Sequence, residues 1–205
     1  MKRIVIFLSA LALLATGCNK GQEFTLTGDL ASIGFDPMTT SLTLQSDALP
    51  ELVTIPVENG TFTYTAKVEK PAAATLKTAN VKAGTRMLVL EKGTITFQDG
   101  LPAGTALNDA ASELTRSLRE IMRKGKGDVS AARAECVDVL RTYLSQHGKD
   151  ASAPIAIVVA RRFAEPAQLG ELIEMTSKEV QNDSNVHKIK KQLKSMQKQS
   201  ADQAD

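Results

Sequence analysis

The sequence predicts an α+β chain: an N-terminal antiparallel β-sandwich or open barrel followed by a C-terminal segment of four to five helices. Three observations predict it. Between Phe24 and Phe97 apolar and polar residues alternate with period two, the repeat of a half-buried strand. From Leu107 the apolar residues recur at i, i+3, i+4 and i+7, which puts them on one helix face. Between the two regimes Asp99-Gly100 and Pro102 interrupt both periods.

The strands follow in order. FTLTGDL (24–30) sets Phe24 and Leu26 against Thr25 and Thr27, and SLTLQ (41–45) repeats the habit with Leu42 and Leu44. Gly34-Phe35-Asp36-Pro37 between them reads as a loop. ELVTIPVENGTFTYTAKV reads as a hairpin turning at Asn59-Gly60, a pair that tolerates the positive φ angles of a type I′ turn. Pro56 cannot donate to a ladder, so the strand 52–57 is expected at an edge or with a bulge. A strand at 73–79 follows Pro71, and RMLVLEKGTITF reads as a second hairpin turning at Lys92-Gly93. That makes seven short strands, the density of a sandwich or barrel.

In the helical part Leu107, Ala110, Ala111, Leu114, Leu118, Ile121 and Met122 form the first stripe, which ends at Gly125-Lys126-Gly127. Asp128 or Ser130 can cap the second helix, where Cys136, Val139, Leu140, Tyr143 and Leu144 share a face up to His147-Gly148. APIAIVVA (153–160) is apolar nearly all round, the signature of a short helix buried inside a bundle. Leu169, Leu172, Ile173 and Thr176 follow Pro166 as a fourth stripe. From about Val186 a last helix carries Val186, Ile189, Leu193 and Met196 on one seam, with Lys188, Lys190, Lys191, Lys194 and Lys198 elsewhere. Residues 199–205 hold no core-forming side chain and are expected to fray as a disordered tail.

The chain opens with Lys2-Arg3, an apolar run from Ile4 to Leu14, and Ala15-Thr16-Gly17-Cys18. The run has the length of a secretory h-region and is too short to span a bilayer. This stretch looks like a bacterial lipoprotein signal peptide. The expectation is cleavage between Gly17 and Cys18, acylation of Cys18 with palmitate-type chains, and a tether over 18–23 carrying a β-domain (24–100) and a helical segment (101–198). Loss of residues 1–17 removes two cations and no acid, so the formal charge of +2 falls to neutral. A neutral surface gives no electrostatic reason to expect nucleic acid. With aromatics at 4% and no Trp, stacking platforms for sugars or bases are scarce.

The string NGTFTYTAKVEKPAAATL, then LVLEKGTITF, then GTALND resembles a domain of unknown function. That domain occurs in bacterial lipoproteins ahead of a thioredoxin-like (AhpC/TSA-type) thiol-disulfide oxidoreductase domain. Asn59, Gly60, Phe62, Pro71, Glu91, Gly93, Gly104, Thr105 and Asn108 carry the pattern. ELIEMTSKEVQNDSNVHKIKKQL is similar to the linker helices that lead into the thioredoxin-like domain, so the resemblance runs from Phe24 to Leu193. The sequence reaches Asp205 without that domain or its CxxC. The resemblance therefore implies an envelope lipoprotein with a β-rich domain and helices, and transfers no catalytic residue.

The candidate sites are few. Cys136 is a candidate thiol, but it lies on an apolar stripe beside Glu135 and Asp138, where burial and negative charge make a thiol inert. His147 and His187 have no ligand spacing around them and read as exposed helix-end residues, so no metal and no cofactor is expected. Ser195-Met196-Gln197-Lys198 formally reads SxxK but lacks the partner motifs of a serine hydrolase. Glu91, the one acid inside the family pattern, reads as a turn-stabilising or exposed carboxylate, with no second carboxylate placed for acid catalysis. The helix Val186 to Lys198 can pack on the body, bind an envelope protein partner, or lie on anionic headgroups. The function expected is a lipid-anchored, non-enzymatic binding or assembly module at the outer membrane facing the periplasm, with contacts through loops at the ends of the β-domain and through that helix. The alternative is an accessory to a thioredoxin-like oxidoreductase.

Overall fold

The computed structural model describes residues 21–78 and 84–202, with side chains as far as Met196. The expected leader over residues 1–17, its expected cleavage site and Cys18 lie outside the described residues. The fold is α+β, with N-terminal strands in two four-stranded sheets and helices after them.

The strands are β1 (Gln22–Asp29), β2 (Ser41–Gln45), β3 (Val53–Pro56), β4 (Thr61–Val68), β5 (Ala72–Thr78), β6 (Thr85–Leu90), β7 (Gly93–Gln98) and β8 (Leu101–Ala103). One sheet has the order β4-β1-β7-β8 and the other β3-β2-β5-β6. Inward-facing Phe24, Leu26, Leu42, Leu44, Leu76 and Ile95 are fully buried between them, as alternation with period two requires. The outer face of the first sheet is threonine-rich: hydroxyls of Thr25 and Thr65, and of Thr27 and Thr63, meet at 2.9 Å across β1 and β4.

Three expectations need correction. The pairings are antiparallel except one, because β1 runs parallel to β7 from Phe24–Gly93 to Leu26–Ile95. The two expected hairpins are corners between sheets. Asn59 (φ 51°) and Gly60 (φ 76°) do form the tight turn, closed by Glu58 and Thr61, but the pairing ends there. Val57 N–H bonds the Thr40 carbonyl at 3.0 Å instead, so β3 stays at the edge of its own sheet, beside β2. Likewise β6 and β7 belong to different sheets, and the chain crosses between them at Glu91-Lys92. Turn chemistry fixes the local backbone; which strand lies next is decided by the two-layer core.

The boundaries also shift. β1 begins at Gln22, inside the expected tether, and an eighth strand, β8, opens the segment expected to be helical. A single turn, α1 (Leu30–Ile33), caps the first corner of the sandwich and buries Leu30 and Ile33. Six further helices follow: α2 (Ala106–Lys124), α3 (Val129–His147), α4 (Ala153–Ala160), α5 (Pro166–Glu174), α6 (Lys178–Asn182) and α7 (Ser184–Asp202). Four to five were expected; α6 is a five-residue turn of helix whose short span leaves no periodic stripe to read. Asp128 rather than Ser130 caps α3, accepting from Ala131 N–H at 2.9 Å. α7 continues to Asp202, beyond the expected end at Lys198.

α4 is the hub of the helical layer. Ala153, Ala156, Ile157 and Ala160 are fully buried, and α4 packs on α2, α3, α5, α6 and α7. Its small residues let neighbouring helices approach closely, which accounts for burial on all sides. The two cores meet where Val89 of β6, Ala111 of α2 and Ile155 of α4 pack together, so β6 is buried on both faces. Truncation at the hub is predicted to cost far more than truncation at the exposed Met196 of α7. Ile157→Ala should lower stability by about 2–5 kcal/mol, and Met196→Ala, at a half-exposed side chain, by less than about 0.5 kcal/mol, both read by urea unfolding.

Candidate functional site

Five of the residues singled out in the sequence, Glu91, Gly93, Gly104, Thr105 and Asn108, converge at the junction of sandwich and helices. Glu91 leaves the end of β6 beneath the first turn of α2. One carboxylate oxygen accepts from Thr105 Oγ1 at 2.7 Å, Leu107 N–H at 2.8 Å and Asn108 N–H at 3.2 Å. These amides belong to the four that every helix start leaves without an internal partner, and the carboxylate also complements the positive end of the helix dipole. Asn108 is fully buried and turns back onto β6: its Oδ1 accepts from Val89 N–H at 2.8 Å, and its Nδ2 donates to the Val89 carbonyl at 2.7 Å and to Thr105 Oγ1 at 2.8 Å. Gly104 (φ 93°) sits where a Cβ would stand 2.7 Å from the Thr94 carbonyl oxygen, which restricts that position to glycine. Glu91 is therefore buried and structural. This corrects the expectation of a turn-stabilising or exposed carboxylate: the group is buried under a helix whose N-cap, Thr105, lies fourteen residues further along the chain, beyond the reach of a local pattern.

Beside this junction lies a cleft of about 720 Å³ between the end of the sandwich and the helical layer. Its apolar floor is made of small side chains, among them Ala48, Ala72, Ala73, Ala151 and Pro154. Its walls carry charge. Lys70, in the β4–β5 turn, forms an ion pair with Glu179 of α6 across the cleft, both side chains largely exposed. Also on the lining, Asp183 accepts from Asn185 N–H at 2.9 Å and Val186 N–H at 3.3 Å, and Asp47 of the sandwich accepts from Ser184 N–H at 3.0 Å. Two carboxylates thus hold the start of α7. Burial pushes the Asp183 carboxyl above its ordinary range, and the neighbouring Asp47 charge adds to the rise, against the opposing amide bonds. On the other wall Asp150 meets His147 Nδ1 at 2.8 Å.

The residues singled out from the sequence fall elsewhere. Cys136 is fully buried against Leu118, with its thiol pushed up by burial and, secondarily, by Glu135. His147 is half-buried, stacked on Tyr143 at 4.5 Å, which corrects its reading as exposed; His187 is exposed. Among the described residues no group of three His, Cys, Asp or Glu side chains is placed to hold a metal. Ser195 is exposed on α7. In α7, Val186 and Ile189 are buried on the body, Leu193 is half-buried and Met196 is 49% exposed, so burial along the seam declines from the start of the helix toward Met196. Lys190 is drawn into that docking by Gln181 at 2.7 Å.

Sequence reasoning pointed to loops at the ends of the β-domain but named none of Asp47, Lys70, Glu179 or Asp183. The only local signal was the run Asn182-Asp183-Ser184, an N-cap pattern ahead of an apolar seam. No family model, no curated protein and no solved structure matches the chain.

Two predictions follow from this geometry. Asn108→Ala strips Val89 of both edge partners and should cost about 3 kcal/mol in urea unfolding. Asp183→Asn keeps a good N-cap and removes a desolvated charge. Because the folded-state pKa lies above the unfolded one, the ionised form is penalised, and the wild type gains stability as pH falls through that titration. The Asn variant should melt higher than the wild type at pH 7, and the gap should close on acidification.

Proposed function

We propose that this chain is a lipid-anchored protein of the bacterial envelope whose body is a non-enzymatic binding module. The anchor rests on the leader and on Cys18 after Thr16-Gly17, and it would place the body on the periplasmic face of the outer membrane. The binding role rests on one observation: the cleft between sandwich and helices, of ligand-site size and built from both layers. The groups that would otherwise offer chemistry are committed to structure. Glu91 caps α2, Asp183 caps α7, and Cys136 is sealed in the helical core.

A second reading, an accessory to a thioredoxin-like thiol-disulfide oxidoreductase, is favoured by α7. The pattern residues Glu91, Gly93, Gly104, Thr105 and Asn108 gather at one junction, and α7 is the element that corresponds to the linker helices of the resembled proteins. In that reading the chain works by docking through Val186 to Lys198, without a thiol of its own.

The test is a comparison of the full chain with its Cys18→Ser variant in a bacterial host. The wild type should take up radiolabelled palmitate and sediment with membranes, and the variant should do neither. Cross-linking and pull-down of the anchored form then separates the two readings by whether a thioredoxin-like protein is recovered. An unlabelled wild type, or a variant that stays on the membrane, would overturn the anchor.

A further inference from the structure

We infer that the cleft takes a short peptide with free termini, its carboxylate held by Lys70 and its ammonium by Glu179 over an apolar floor. This rests on the binding reading above and names its ligand class.

The charged groups of the cleft divide into committed and exchangeable ones. Asp47 and Asp183 are bound to the first amides of α7, and Asp150 to His147, so moving any of them would unmake a helix start or a buried-side contact. Lys70 and Glu179 are different. They face each other from opposite walls with 68% and 69% of their side chains exposed, and their hydrogen bond is to each other. An exposed pair of this kind is worth about 0–1 kcal/mol, so parting it costs little. Each partner then has a charge-assisted hydrogen bond to give to a ligand.

That pair selects against ligands of a single sign. An anion would engage Lys70 and strand Glu179, whereas a cation would do the reverse. A zwitterion satisfies both walls at once. Size argues for a peptide over a single amino acid. The cleft measures about 720 Å³, within the range of sites that enclose drug-sized ligands, and Lys70 and Glu179, in contact with each other, swing apart to take the ligand's two ends. The floor suits such a ligand. Ala48, Ala72, Ala73 and Ala151 leave space above them that a ligand's own side chains can fill, and they impose no pocket for one particular residue type.

The experiment is equilibrium dialysis of the detergent-purified full chain against isotope-labelled tetra-alanine, alongside N-acetylated, C-amidated and doubly blocked forms. Free tetra-alanine should bind, and blocking either end should weaken binding by about tenfold or more. Lys70→Met should abolish the preference for a free carboxylate while keeping the preference for a free amine, and Glu179→Gln should do the converse. Thermal melts of both variants confirm that they are folded, as expected for exposed positions. Equal binding of free and doubly blocked peptide, or no binding at millimolar peptide by folded protein, would overturn the inference. If peptide fails to bind while the anchored chain still recovers envelope partners, the peptide assignment alone falls; if peptide binds while palmitate labelling fails, the anchor alone falls.

Discussion

One carboxylate holds the two halves of this molecule in register. Glu91 stands at the corner where the chain passes from one sheet to the other, and its oxygen collects the first amides of α2 together with the Thr105 hydroxyl. A buried acid without such donors would be expensive, and a helix start buried without an acceptor would be equally so. Each solves the other's problem. Asn108 fixes the same helix to the outward edge of Val89, so α2 is tied to β6 at two successive points and its axis has little freedom to swing. From α2 the constraint passes to α4 through Ala111 and Ile155, and from α4 to every other helix of the layer.

The cleft is the geometric remainder of this arrangement. The helices are pinned at one end of the sandwich, beside β6 and β8, while α6 and the start of α7 come back toward the β2 and β5 ends through Asp47 and Lys70. What lies between is lined by the small residues of Ala72-Ala73 and Ala151, which cannot reach across it. The contacts spanning the gap are few and polar, whereas the β6–α2–α4 contact is apolar and continuous. The strength of the junction and the openness of the cleft thus have one origin, the order in which the helices return to the sheet.

Much of this was legible in the sequence, and the parts that were not share a cause. Period two in Phe24 to Phe97 and the stripe from Leu107 to Met122 report burial within one element, and those elements appear where the pattern puts them. So does α4, whose apolar run could be satisfied only by neighbours on all sides. The hairpins at Asn59-Gly60 and Lys92-Gly93 were misread because a turn signal carries no record of the next strand's sheet. β8 and α6 were missed because three and five residues hold no period. Asp47, Lys70, Glu179 and Asp183 are ordinary surface residue types along the chain, separated by up to 136 positions, and become a site only when the layers close. Glu91 and Asn108 stood out through the pattern they belong to, yet the reason they occur together is a contact across the corner.

The pairing of Asn108 with Val89 also bears on how copies of this protein behave toward one another. A strand at the margin of a sheet presents a row of open donors and acceptors, and such rows recruit strands from other molecules. At β6 the side-chain amide stands where a ninth strand's backbone would lie, and α2 covers the ground beyond it. At the opposite margin of the same sheet β3 is four residues long and ends on Pro56, which has no donor to offer. Both margins of this sheet are closed to edge-to-edge aggregation, one by a side chain that imitates a strand and the other by brevity, so a neighbouring copy finds no open row of donors and acceptors on this layer.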